Sequence, residues 1–138
     1  MKVLLLEDAG SVYFELLEHL SEVHFVSEVL AAYQVSEAMD KFENEEPDFM
    51  IVDLNVSSSG LKREEVDASE GGRLSGWLWL KNYVFPQSEE WRDKVIIYSE
   101  YIRILKNNVQ KKEYKGLKLL TKKNYSIEDV LDVFRAMV

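Results

Sequence analysis

The chain has 138 residues, with 17 Lys plus Arg against 25 Asp plus Glu, for a formal net charge of −8. It has no cysteine, which excludes a disulfide scaffold, a thiolate metal site and a cysteine nucleophile. The acidic balance argues against a general electrostatic grip on nucleic acid or an anionic membrane, and no apolar run approaches the roughly 20 residues that span a bilayer.

The start, Lys2–Leu6, is a continuous apolar run closed by Glu7-Asp8. It is too short for the apolar core of a leader and reads as a strand buried on both faces. Tyr13, Leu16, Leu17 and Leu20 then follow the i, i+3, i+4, i+7 spacing of a helix stripe. A second strand is expected within residues 24–33, and Val35, Ala38, Met39 and Phe42 repeat the helical spacing up to Pro47. Phe49–Val52 is another buried run, closed by Asp53.

Residues 57–75 lose all periodicity and are small, polar and charged, which predicts a long structureless loop. Gly76 opens an aromatic-rich helix that Pro86 stops. In it Trp77, Leu80 and Val84 share one helical face, while Trp79 and Tyr83 fall off it. The alternatives there are a wide buried face or an exposed partner surface. Lys94–Tyr98 reads as a fourth strand ending at Ser99. Ile102, Leu105 and Val109 mark a helix whose C-terminal end carries Lys111 and Lys112. Leu117–Leu120 is a short fifth strand ending at Thr121-Lys122. Ser126 with Asp129 forms a capping box for a last helix along Ile127, Val130, Leu131, Phe134 and Met137.

Strands alternating with helices imply βαβ units, so the expected fold class is α/β: one domain over residues 1–138, a doubly wound five-stranded parallel sheet of flavodoxin-like type, five helices, and residues 57–75 as an inserted loop. Ligands of such sheets bind beyond the carboxyl ends of the strands. There the sequence places Glu7 and Asp8, Asp53, Ser99 and Lys122: three acids, a hydroxyl and an amine. Carboxylates held together repel, and a hard divalent cation, Mg²⁺ above all, relieves that repulsion through oxygen ligands. A carboxylate in such a setting can serve as a nucleophile toward phosphorus. Each residue also has a plainer reading. Asp53 could end a strand and cap a turn, Glu7 could be a solvated acid, Ser99 could cap the following helix and Lys122 could be a surface lysine.

Taken in order, Glu7-Asp8, Ser36–Met39, Pro47–Asp53, Ser99 and Lys122 resemble the CheY-like receiver domain of two-component response regulators, over nearly the whole chain. The resemblance implies that Asp53 is the phosphoacceptor and that Asp8, Asp53 and the Asn55 backbone carbonyl hold Mg²⁺, with Glu7 nearby through water. It implies that Ser99 and Lys122 bind phosphoryl oxygens. It further implies a cytoplasmic signalling switch rather than an enzyme, fed by a sensor histidine kinase or phosphotransfer protein and read by a separate downstream protein, with neither nucleic acid nor membrane as partner and a homodimer among the expected assemblies. Two other readings remain: a pseudo-receiver that works as a phosphorylation-independent interaction module, and a Mg²⁺-dependent hydrolase on a related scaffold. The sequence departs from the family pattern in the inserted loop, in Ser57 and Lys123 where prolines are usual, and in Leu119 where an aromatic residue is usual. The loop directly follows Asp53, so it reads either as a flexible linker or as a lid over the nucleophile.

Overall fold

The computed structural model describes residues 1–138. Its five strands are β1 (Lys2–Leu6), β2 (Glu28–Ala32), β3 (Phe49–Val52), β4 (Val95–Ser99) and β5 (Lys118–Thr121). All pairings are parallel and the order is β2-β1-β3-β4-β5, as the doubly wound class requires. Seven helices surround them: α1 (Gly10–Glu22), α2 (Val35–Glu45), α3 (Arg63–Asp67), α4 (Ser75–Trp79), α5 (Ile102–Asn108), α6 (Lys111–Tyr114) and α7 (Ile127–Met137). No helix is long and apolar enough to cross a membrane.

The apolar strands are buried on both faces, and the period of two divides their side chains between two cores. Val3, Leu5, Phe49, Ile51 and Ile96 pack under α1 and α7 with Leu16, Leu20, Val130 and Phe134. Leu4, Leu6, Met50, Val52 and Ile97 pack under α2, α4 and α5 with Ala38, Trp77, Leu80 and Leu105. α7 starts at the capping box read from the sequence: Asp129 N–H donates to Ser126 Oγ at 3.2 Å, and Ser126 N–H donates to Asp129 Oδ2 at 2.9 Å.

Two helices exceed the five expected. Lys111 and Lys112 do not close α5; Val109 is extended (φ −122°, ψ 139°), and the lysines open the separate turn α6. Residues 57–75 are not structureless either. Ser57 pairs with Gln34, and Val35 N–H donates to Ser57 O at 3.1 Å. The hydroxyls of Ser36 and Ser59 lie 2.9 Å apart. The carboxylate of Glu65 then pins α3: it accepts from Lys62 N–H at 2.8 Å, Asn82 Nδ2 at 2.7 Å and Tyr83 Oη at 2.8 Å. Buried Ser69 closes the following turn by donating to Val66 O at 2.6 Å and accepting from Gly72 N–H at 3.0 Å. The insertion therefore lies along α2 and α4.

That placement settles the aromatic segment as a wide buried face. Trp79 is as fully buried as Trp77 because α4 is covered from two sides, with Phe42 of α2 meeting the Trp79 ring edge-on at 6.0 Å. After Trp79 the helix widens into a π turn over Leu80–Val84, which resets the helical period. Neither buried indole N–H has a hydrogen-bond partner.

Candidate functional site

Parallel register ends the strands together. Leu6 pairs with both Ala32 and Val52, Val52 with Ile97, and Ser99 with Thr121. The next backbone groups extend the ladder: Glu7 N–H donates to Ala32 O at 3.0 Å, Asp53 N–H to Leu6 O at 2.9 Å and Lys122 N–H to Ser99 O at 3.1 Å. Side chains far apart in sequence are thereby fixed at one edge by ordinary strand bonds.

Glu7, Asp8 and Asp53 each offer one carboxylate oxygen, and these atoms lie within 4.8 Å of one another. Glu7 and Asp53 are buried and Asp8 is exposed. The Lys122 ammonium bridges the two buried acids, 2.6 Å from Glu7 Oε1 and 3.0 Å from Asp53 Oδ2. Its ammonium also stands 5.9 Å from the centre of the Tyr98 ring, whose hydroxyl donates to Tyr125 O at 2.7 Å. The second oxygen of Glu7 accepts from Ala9 N–H at 3.1 Å. Asp53 Oδ1 faces the Asn55 N–H at 3.4 Å.

The electrostatics follow from burial. Desolvation, with the Asp53 charge next in weight, pushes the Glu7 carboxyl up to about 7. Asp8 is raised by the same two causes. Burial works against the Lys122 ammonium, but the Asp53 charge and the Glu7 hydrogen bond outweigh it and hold its pKa above the usual lysine value. One ammonium thus serves three carboxylates, and the site keeps an excess of negative charge.

A cleft of about 230 Å³ opens beside this cluster, lined by Asp8, Asp53, Asn55, Tyr101 and Lys122 among others. No residue of 57–75 lines it, so the insertion does not cover Asp53 in this structure. Ser99 is also withheld. It is fully buried, does not line the cleft, and its Oγ accepts from Tyr101 N–H at 3.1 Å; the N-cap of α5 is Tyr101 and not Ser99, so the plainer role as the helix cap does not hold. Two participants escaped the sequence reading. Tyr101 lines the cleft two positions beyond Ser99. Gly76 touches the backbone of the site: a Cβ there would lie 2.2 Å from the Asp53 carbonyl oxygen, and the Gly76 N–H donates to Leu54 O at 3.0 Å. Its value is close approach, which a position at the mouth of the aromatic helix hints at but does not specify.

The donor set fits a hard cation. All side-chain ligands are carboxylate oxygens, one acid reaches solvent, and the carboxyls are raised by burial first and by the Asp53 charge second, the part that a divalent ion would relieve.

No protein-family model matches the chain, and no curated protein matches it. Among solved structures, the receiver domain of a Francisella response regulator superposes over 99% of this chain and 94% of its own, with a TM-score of 0.66 and 18% identity. A CheY-like receiver domain from Methylobacillus flagellatus matches over 100% and 98%, with a TM-score of 0.62 and 16% identity. A receiver domain from Clostridium thermocellum matches over 99% and 92%, with a TM-score of 0.60 and 17% identity. The chain therefore has the fold of response regulator receiver domains over nearly its whole length.

Proposed function

We propose that this protein is a receiver: a signalling switch that accepts a phosphoryl group on Asp53 in the presence of Mg²⁺. The observation that carries the reading is the bridge from Lys122, just beyond the edge strand β5, to Asp53 and Glu7, with Asp8 in the same cluster. Chance surface acids at strand ends have no reason to converge on one buried ammonium beside an open cleft.

In this reading a carboxylate oxygen of Asp53 attacks phosphorus, and the bond from phosphorus to the imidazole nitrogen of a phosphohistidine donor breaks as the imidazole leaves. Asp8, Asp53 and the Asn55 carbonyl would hold the Mg²⁺, with Glu7 reaching it through water. Bound there, the cation supplies neutralisation of the attacking carboxylate and the phosphoryl oxygens. Lys122 already lies on Asp53 and would pass to a phosphoryl oxygen. Ser99 would exchange its Tyr101 N–H contact for another phosphoryl oxygen, and that exchange would move the start of α5. The result is a population shift, read by a separate cytoplasmic partner. The phosphoryl source would be a sensor histidine kinase or a phosphotransfer protein.

Intact-mass measurement after incubation with acetyl phosphate and Mg²⁺ tests the proposal. The wild type should gain one phosphoryl group and Asp53→Asn should gain none. An unchanged wild-type mass at saturating donor would favour the phosphorylation-independent module. Steady turnover of a phosphate ester would favour the hydrolase.

A further inference from the structure

At the opposite end of the sheet from Asp53, before the amino ends of β3 and β4, a cleft of about 470 Å³ opens between the last turn of α2 and the segment that leads into β4. Phe42, Pro47 and Trp91 supply its apolar lining, with Glu43, Glu46 and Ser88 beside them, and it shares no residue with the Asp53 cleft. The Phe42 and Trp91 rings stand 5.4 Å apart at 60°, so they present two inclined faces rather than a closed stack. Both rings are fixed before any ligand arrives. Trp79 meets Phe42 edge-on at 6.0 Å. Trp91 sits in a 3₁₀ turn over Glu89–Asp93 that Ser88 Oγ caps by accepting from Glu90 N–H at 3.2 Å, and Trp91 N–H donates to Ser88 O at 3.2 Å. Walls already in place lower the cost of binding.

The chemistry of the ligand follows from the lining. The indole of Trp91 already draws one cation: the Lys94 ammonium, which does not line the cleft, lies 5.9 Å from its ring centre. Glu43 and Glu46 are exposed and have no ion-pair partner, and the C-terminal end of α2, where the helix dipole is negative, opens on the same cleft. These charges favour a cation over a neutral apolar ligand. The carboxylates stand at the rim. Among the buried and half-buried lining residues the one polar side chain is Ser88, whose Oγ is engaged with Glu90 N–H. An ammonium or guanidinium N–H would lose water there without gaining an acceptor, and a hard metal ion would meet aromatic carbon. A quaternary ammonium has no N–H to satisfy and carries an apolar shell. We propose that this cleft binds a small organic cation of the quaternary ammonium class, its charge against Phe42 and Trp91 and the rim carboxylates drawing it in. The binding does not rest on the receiver reading.

Titration of the full chain with choline, against dimethylbutanol as its neutral carbon isostere, tests the proposal. It is followed in nitrogen–proton NMR spectra by the backbone amides of Gln87 and Ser88 and by the Trp91 indole. Of the 3 tryptophans, Trp77 and Trp79 are buried, so Trp91 is the one that a solute reaches. Choline should shift these signals saturably in the millimolar range, and the isostere should bind at least about tenfold more weakly. Trp91→Leu should weaken choline about tenfold or more and Trp91→Phe about threefold, both read from the two amides, with melts to verify folding. Glu43→Gln combined with Glu46→Gln should weaken it about twofold to threefold at low salt and less at high salt. Glu89→Gln, in the same turn but outside the cleft, should leave it unchanged. Equal binding of the isostere, shifts without saturation, unchanged affinity in Trp91→Leu, or displacement by Mg²⁺ at equal concentration would each overturn the proposal. So would tighter binding of N-acetylarginine amide, since a hydrogen-bonding side chain of a partner would then be the occupant.

Discussion

Glu7 holds the Lys122 ammonium at 2.6 Å, yet its carboxyl is pushed up to about 7 from the ordinary 4.5 because burial and the Asp53 charge outweigh that contact. Between those two values the folded protein binds a proton more readily than the unfolded chain. The stability that Glu7 contributes at low pH is therefore lost as pH rises from about 4.5 to about 7, with no further loss beyond. Glu7→Gln cannot ionise. In metal-free protein it should melt close to wild type at pH 5 and clearly above it at pH 8, by about 3 °C for each kcal/mol gained. A lower melting point for the variant at pH 8 would show that the lysine contact dominates. Gly76 supplies a second test at this scale. Gly76→Ala sets a methyl group 2.2 Å from the Asp53 carbonyl oxygen, so backbone must move, at a cost of about 2–3 kcal/mol in urea melts. The displaced atoms belong to Asp53, the proposed phosphoacceptor, so phosphate uptake by intact mass should slow more than in a core variant of equal instability.

α3 owes its place to one carboxylate. Burial would raise Glu65, but the N–H of Lys62 and the side chains of Tyr83 and Asn82 overcome this and hold it below the ordinary 4.5. Its contribution is thus present above about pH 4.5 and is lost as pH falls through the lower folded value. Glu65→Ala should cost about 1–3 kcal/mol and speed proteolysis within 57–75 at pH 7. Wild type should approach the variant's cleavage rate only in acid, and Asp53 phosphorylation should be unaffected in the variant because the segment does not line the cleft. This element also shows where sequence reading fails. The stripes of α1, α2 and α7 and the apolar runs of the strands are periodic over many residues, so they were legible. α3 is five residues with no stripe, held by groups from beyond Gly76, and nothing local announces it. Trp79 was set off the buried face for a like reason: one helical wheel cannot anticipate that α2 covers a second side. Lys111 and Lys112 suited the end of α5, but the extended Val109 intervenes. The acids and Lys122 were legible because strand ends collect chemistry; which way the Ser99 hydroxyl turns is a rotamer choice that composition does not encode.

For the molecule as a whole, parallel register is what turns scattered sequence into a site, and a ligand held there should stabilise every strand that contributes. Mg²⁺ at about 100 times its dissociation constant should add about 2.7 kcal/mol to unfolding. Melting temperature should therefore climb with Mg²⁺ at constant ionic strength, and Asp8→Asn should blunt the rise. A melting curve indifferent to Mg²⁺ would argue against the metal. Gly76, in the first turn of α4, lies against the Asp53 carbonyl, and the next three positions carry two indoles, both sealed from water and both with an unpartnered N–H. The chain thus contains its own optical reporter. Emission from Trp77 and Trp79 should be blue-shifted and shielded from acrylamide, and a displacement of the Asp53 backbone should reach those chromophores through Gly76, which packs against it, rather than across the solvent.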